Sequence, residues 1–219
     1  MSKDKTSMTR EGQDEATLKV LTISKPHFET AIFNLESTAP YVQSKFAEKA
    51  KQKMMAKMTL GDQAKKNRKK EPRDFEDDYL QAMHFSEEGW HGMPAAAYRA
   101  GLISACRIVG FAMTRAKLAL FVEADRIDKL DGMPLIKIEG EPQMVKHYVR
   151  LPHGETDIRV RAMWKKWSAE VRVRYDADMF SFEDVGNLMD RVGTQVGIGE
   201  GRPDSKSSPG MGWGTFRIC

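Results

Sequence analysis

Residues Val196 to Ile218 read VGIGEGRPDSKSSPGMGWGTFRI, six glycines and an Arg-Pro step ahead of a closing apolar segment. Gly197, Gly199 and Gly201 permit positive φ and a close backbone approach. The Gly210, Gly212, Gly214 series then leads into a strand expected over Trp213 to Ile218. Turns of this kind present successive N–H groups to phosphate oxygens, and Arg202 and Lys206 add cationic donors. Dinucleotide and P-loop fingerprints are excluded, because Gly201 runs into Arg202 and Pro203 with no helix and no Gly-Lys-Ser/Thr step. The plainer account is a C-terminal hairpin whose glycines serve packing.

Two histidines, His84 and His91, flank a predicted helix start and have the residue type for acid–base chemistry near neutral pH. Asp74, Glu76, Asp77 and Asp78 form an acidic run that offers oxygen ligands to a divalent cation. No spacing forces any two of these groups together. Their plainer roles are a surface histidine and neutralisation of neighbouring lysines, so no metal and no cofactor is expected.

A chain of 219 residues, 41% hydrophobic and 30% charged, can bury one substantial core. Its formal net charge is only +4, but the charge is concentrated. Between Lys45 and Arg73 eleven basic residues oppose three acids, an excess of eight. The densest part is Lys65, Lys66, Arg68, Lys69 and Lys70, which has no apolar residue to hold it on a core and reads as a flexible arm. A patch of one sign is the electrostatic footprint of a nucleic-acid binder. The alternatives are a solvated loop, or an acidic membrane surface for which no apolar anchor is present. Cys106 and Cys219 give neither a disulfide framework nor a zinc spacing, which fits a reducing cytoplasm. Neither a run of about 18 apolar residues nor a signal-peptide pattern occurs, so a cytoplasmic protein without membrane contact is expected.

The elements that must position these groups follow from periodicity. Residues 1–16 predict a mobile tail, and Leu18 to Ile23 and Phe28 to Leu35 predict strands. Val42, Phe46, Ala50, Met54 and Met58 predict a helix ending near Gly61. Met93-Pro94 opens another, with Tyr98, Leu102, Ala105, Cys106 and Val109 on one stripe. A strand is expected over Lys117 to Val122, and the irregular stretch 124–156 reads as a projecting hairpin or lobe. Ile158, Val160 and Ala162 alternate with Arg159 and Arg161, and Val171, Val173 and Tyr175 alternate with Arg172 and Arg174. Joined by the short Trp164 to Trp167 connection, these segments predict a hairpin with four arginines on one face, a track for RNA or single-stranded DNA or else a wet face relieved by Glu170. Trp164, Trp167 and Tyr175 read as stacking platforms or as core. Ser181 and Asp184 form a capping-box pattern ahead of a helix with Phe182, Val185, Leu188, Met189, Val192 and Val196 facing inward.

Strand, helix, strand, excursion, hairpin, helix, Gly-rich loop and strand is an order close to a split βαβ arrangement. The C-terminal GIGEGRPDSKSSPGMGWGTFRI resembles the glycine-rich signature of the RAMP superfamily, the RNA-binding proteins of CRISPR systems. HGMPAAAYRAGLISACR at 91–107 resembles that family's helix start, with Pro94, Tyr98, Arg99 and Arg107 at matching places. The sequence is also similar to uncharacterised bacteriophage-encoded proteins.

The resemblance implies an α+β, ferredoxin-like (RAMP/RRM-like) domain over 17–219: an antiparallel sheet, two packing helices, an inserted basic helical arm at about 42–90 and the lobe at about 124–156. It implies a non-catalytic, sequence-tolerant binder of RNA or single-stranded DNA that forms a homo-oligomer or filament along the strand. Gly197, Gly199, Gly201 and Arg202 would line that strand, with Arg99 and Arg107 near it. Ala95, Ala96 and Ala97 stand where the family favours Gly-Ser-Ser, which removes any hydroxyl contact to phosphate there. Two other functions fit the same residues. One is a RAMP-type endoribonuclease drawing on His84, His91, Asp74 or Asp77. The other is a phage scaffold or inhibitor that binds an acidic host protein in the host cytoplasm.

Overall fold

The computed structural model describes residues 25–60, 72–150, 154, 156–205 and 210–219. The tail at 1–16, the strand expected at 18–23, the cluster Lys65, Lys66, Arg68, Lys69 and Lys70, and Lys206 lie outside the described residues.

In chain order the elements are β1 (Phe28–Ser37), β2 (Tyr41–Gln43), α1 (Glu48–Leu60), α2 (Phe75–Gln81), β3 (His84–Phe85), β4 (His91–Pro94), α3 (Ala95–Ile108), α4 (Met113–Ala119), β5 (Leu120–Glu123), β6 (Arg126–Ile127), β7 (Pro134–Lys137), β8 (Pro142–Arg150), β9 (Thr156–Trp164), β10 (Ser168–Asp176), α5 (Phe182–Arg191), a π-helical turn (Val192–Val196) and β11 (Phe216–Ile218). The molecule is thus mixed α and β, with antiparallel sheets and five α-helices among the described residues.

The principal sheet has the order β11-β1-β10-β5, and its connections carry α3 between β1 and β5 and α5 between β10 and β11. Period-two alternation sets its faces. Ala31, Phe33 and Leu35 of β1 and Val171, Val173 and Tyr175 of β10 enter the core, while Ile32 and Asn34 point outward. Tyr98, Leu102, Ala105 and Cys106 of α3, with Val185, Leu188 and Met189 of α5, close that core. α5 starts as its sequence dictates: the Ser181 hydroxyl accepts from the Asp184 amide at 3.1 Å and the Asp184 carboxylate accepts from the Ser181 amide at 2.9 Å. Phe182, expected inward, is exposed and stacks on Phe33 at 6.2 Å.

Several expectations are corrected. β9 and β10 do not form a hairpin. β9 pairs with β2 and β8 in a second sheet, and Trp164 to Trp167 is a corner between sheets. Trp164, Trp167 and Tyr175 are core residues, with the Trp164 and Trp167 rings 5.6 and 6.0 Å from Tyr41. The described residues of the 124–156 stretch are not irregular. β7 pairs with β4 and β6, Ile136 and Ile138 join the core, and β8 forms a long ladder with β9. The strand expected from Lys117 begins only at Leu120, because Ala116 and Ala119 bury one side of a short helix, α4. Val42 belongs to β2, so α1 begins six residues later than expected, at Glu48, and Met54, Met55 and Met58 lie exposed on it. No helix among the described residues is long and apolar enough to cross a membrane.

Candidate nucleic-acid interface

All six glycines of the C-terminal loop take positive φ, from 68° at Gly197 to 77° at Gly199. What five of them approach is the protein's own chain, Gly212 alone among the six having open space. A Cβ at Gly199 would strike the Tyr41 ring, one at Gly201 the Trp213 ring, and one at Gly210 the Arg202 carbonyl. The amides are largely committed as well. Gly197 donates to the Val192 carbonyl at 2.7 Å, Glu200 to Val42 at 2.9 Å, Asp204 to Val196 at 3.0 Å and Gly214 to Pro40 at 2.7 Å. Met211 and Trp213 both donate to Gly201. The loop therefore does not offer a run of amides to an anion at those positions, and what it brings to a ligand is side chains.

Those side chains border a furrow along α3. One stretch is lined by Ala97, Ala100, Ser104 and Arg107 of α3, by Lys117 of α4, and by Arg202 and Asp204 of the loop. The next is lined by Lys45, His84, Pro94, Gly199 and Glu200. Both contain Ala97, Gly199 and Arg202, so they adjoin. From Pro94 to Arg107 the helix rises about 20 Å. Pro94, the N-cap of α3, lines the second stretch, so the positive end of the helix dipole borders the furrow.

The predicted cations separate into three groups. Arg202 and Arg107 line the furrow: Arg202 donates to the Gly199 carbonyl at 3.1 Å and Arg107 to Asp204 at 2.9 Å. Arg99 and Arg161 are structural. Arg99 donates to the carbonyls of Lys117 and Leu120, closing the end of α4. Arg161 is buried against Glu200, fixing the loop to β9. Arg159, Arg172 and Arg174 lie elsewhere. Arg159 is exposed on β9, Arg172 pairs with Asp125 and Glu170, and Arg174 stacks over Phe28 and Phe121. The single guanidinium ladder expected from the alternation is thus divided between two sheets. The groove beside Arg172 carries five carboxylates, Glu36, Glu88, Asp125, Glu139 and Glu170, against three cations, and is unsuited to a polyanion.

The acidic run neutralises basic neighbours. Asp77 pairs with Lys49 at 2.6 Å, Asp78 with Arg73 at 2.5 Å, and Asp74 caps α2 by accepting from the amides of Glu76 and Asp77. His91 is wedged between Phe85 and Trp164, and burial pulls its pKa down.

His84 is different. Its Nδ1 lies 2.7 Å from Asp128 Oδ2, a buried carboxylate that also accepts from Lys45 Nζ at 2.7 Å and from the Leu130 amide at 2.8 Å. Burial raises the Asp128 pKa, but the bonds from Lys45, Leu130 and His84 outweigh it and leave the value at about 2. Burial is also the leading influence on His84 and lowers its pKa, against the bond to Asp128. The pair at neutral pH is a carboxylate and a neutral imidazole. Nδ1 then carries the proton and donates it to Asp128, leaving Nε2 as an acceptor. Asp131 completes an arrangement with metal-ligand spacing, but Lys45 Nζ already lies 3.3 Å from its Oδ2, so the ammonium is the cation of this cluster.

Sequence reasoning missed Lys45, Asp128, Lys117, Ser104 and Asp204 as members of this region. Only Asp128 carried a local signal: in Asp128-Lys-Leu-Asp131-Gly132 its Oδ1 accepts from the amides of Leu130 and Asp131, an Asx-type turn. Comparison with models of known protein families and with curated proteins found no match to this chain.

Proposed function

We propose that the protein binds single-stranded nucleic acid without regard to sequence, along the furrow between α3 and the Gly-rich loop, and assembles in several copies on the strand. The observation that carries this reading is the placement of Arg107, Lys117 and Arg202 around one stretch of the furrow. Cations grouped beside one groove suit a phosphodiester backbone, which is recognised by charge rather than by base identity. The order β11-β1-β10-β5, with α3 and α5 in the split connections, supports a ferredoxin-like reading of the principal sheet and, with the motifs at 91–107 and 197–218, a RAMP-like one.

The test is fluorescence anisotropy with labelled RNA and DNA strands of unrelated sequence over a salt series. Comparable affinities are expected, falling linearly in log–log form with a slope of roughly −0.7 for each phosphate neutralised. Replacing both Lys117 and Arg202 by alanine is expected to reduce that slope by about 1.4. Binding that ignores salt, or no binding to any strand, sinks the reading.

A second reading is favoured by one observation, the neutral His84 held by ionised Asp128 where His84 lines the furrow. A neutral imidazole oriented by a carboxylate is a competent general base, so an endoribonuclease fits the same site. Defined cuts in labelled RNA, retained in chelator and lost in His84→Ala, are expected on that reading. Intact RNA throughout removes it.

A further inference from the structure

The loop that lines the furrow also brings a carboxylate into it. Asp204 Oδ1 accepts from Arg107 Nη2 at 2.9 Å, and the Ser104 hydroxyl is the leading influence holding the Asp204 carboxyl below its ordinary range. Lys117 and Arg202 border the same stretch. Asp204 is thus an anion placed among three cations and a hydroxyl. Its backbone is fixed by the bond from its amide to Val196, and the loop is anchored nearby through the buried contact of Glu200 with Arg161. The ion pair itself is open to solvent, with Arg107 52% and Asp204 30% exposed.

We propose that Asp204 is an internal stand-in for phosphate. Arg107, Ser104, Lys117 and Arg202 form a phosphate subsite that the loop's own carboxylate fills, and an incoming strand must displace it. The inference rests on the strand-binding reading and adds its regulation: the loop sets a threshold that a phosphodiester chain overcomes and an isolated weak anion does not. The chemistry favours this exchange. A solvent-open ion pair contributes little to stability and is screened by salt. A phosphate brings more acceptor oxygens to the same guanidinium and is held in register by its neighbours along the chain. No covalent step is involved. The carboxylate turns out to water as the phosphate enters, and the Arg161 contact keeps the rest of the loop in place.

The experiment measures binding of a labelled single-stranded oligonucleotide of mixed sequence to the full chain at low salt, for wild type, Asp204→Asn and Asp190→Asn. Asp190→Asn changes the net charge equally, on α5 and away from the furrow. D204N is expected to bind about fivefold tighter with a steeper salt slope, while D190N stays at the wild-type value. In an Arg107→Ala background the D204N gain is expected to vanish, since the two groups act on one another. Equal affinity of wild type and D204N overturns the inference while leaving strand binding intact. So does an equal gain in D190N, or a gain that survives R107A. If neither wild type nor D204N binds, the strand-binding reading falls and the subsite with it. Asp204→Ser repeats the test with a side chain suited to a loop, should D204N fail to fold.

Discussion

Replacing Asp128 by alanine is expected to destabilise the protein by about 3–5 kcal/mol, the range for breaking a buried ion pair from one side. The Asp128 side chain is fully buried and the Lys45 side chain only 7% exposed. The carboxylate serves Lys45, His84 and the amides of Leu130 and Asp131 together. Its loss leaves a buried ammonium with the more distant Asp131 and strands two amides of the turn that leads into β7. Changing Lys45 to Met and Asp128 to Leu together is expected to recover the part of the loss due to the unpaired ammonium, while the two amides and His84 stay without their acceptor. Urea titration of both variants checks this through the midpoint at constant slope.

The same cluster sets an acid limit. Asp128 titrates in the folded protein at about 2 rather than near 3.8, so the unfolded chain binds more protons across that interval. Its contribution, roughly 2 kcal/mol, is present in full above the unfolded value and is lost as pH falls toward 2. His84 acts in the same direction at higher pH. Its lowered pKa means that the unfolded chain takes up protons first once pH drops below the ordinary histidine value. Stability is therefore expected to fall in two stages on acidification, and Asp128→Ala is expected to remove the lower one.

Local chemistry was legible in the sequence and long-range partnership was not. The Ser181 and Asp184 pair states a helix start within four residues, and the structure forms that cap. The stripe Tyr98, Leu102, Ala105 and Cys106 states which side of α3 is buried, while Val109, read as its last member, is the exposed residue that ends the helix. Alternation in β10 likewise assigns its faces, but in β9 every residue from Val160 to Trp164 is buried, Arg161 included, and in neither strand does alternation say which strand lies alongside. The short Trp164 to Trp167 connection suits a hairpin, yet Trp167 donates from its indole to the Ala39 carbonyl and from its amide to the Ser37 hydroxyl, turning β10 toward β1. Arg161 was misread for the same reason. Its partner Glu200 lies 39 residues away on a loop whose path no periodicity describes. The glycines were legible in conformation and not in purpose: positive φ is written in the residue type, but of the groups that forbid a side chain there Tyr41 comes from β2 and Ile198 and Trp213 from opposite ends of the loop.

Gly214→Ala is expected to cost about 3 kcal/mol or more, from a left-handed backbone together with steric overlap in a closed site. Gly214 has φ 70°, and a methyl group built on it would run into the Ile198 carbonyl. Its amide donates to Pro40 and its carbonyl accepts from Ile198 at 3.0 Å, so the backbone cannot shift without losing one of the bonds that fold the loop back on itself. Gly212 is the control. It has φ 73° but open space where its Cβ would lie, so Gly212→Ala is expected to lose only the conformational term, about 1–2 kcal/mol. Urea midpoints of the two variants separate steric closure from backbone preference, and equal losses would show that the approach of Gly214 to Ile198 does not constrain the loop. The pair also bears on function. Arg202 and Asp204 hang from the segment that Ile198 and Gly214 tie together, so strand affinity at temperatures where both variants are folded is expected to drop in G214A and hold in G212A. A loop that merely closed the chain would leave both affinities alike.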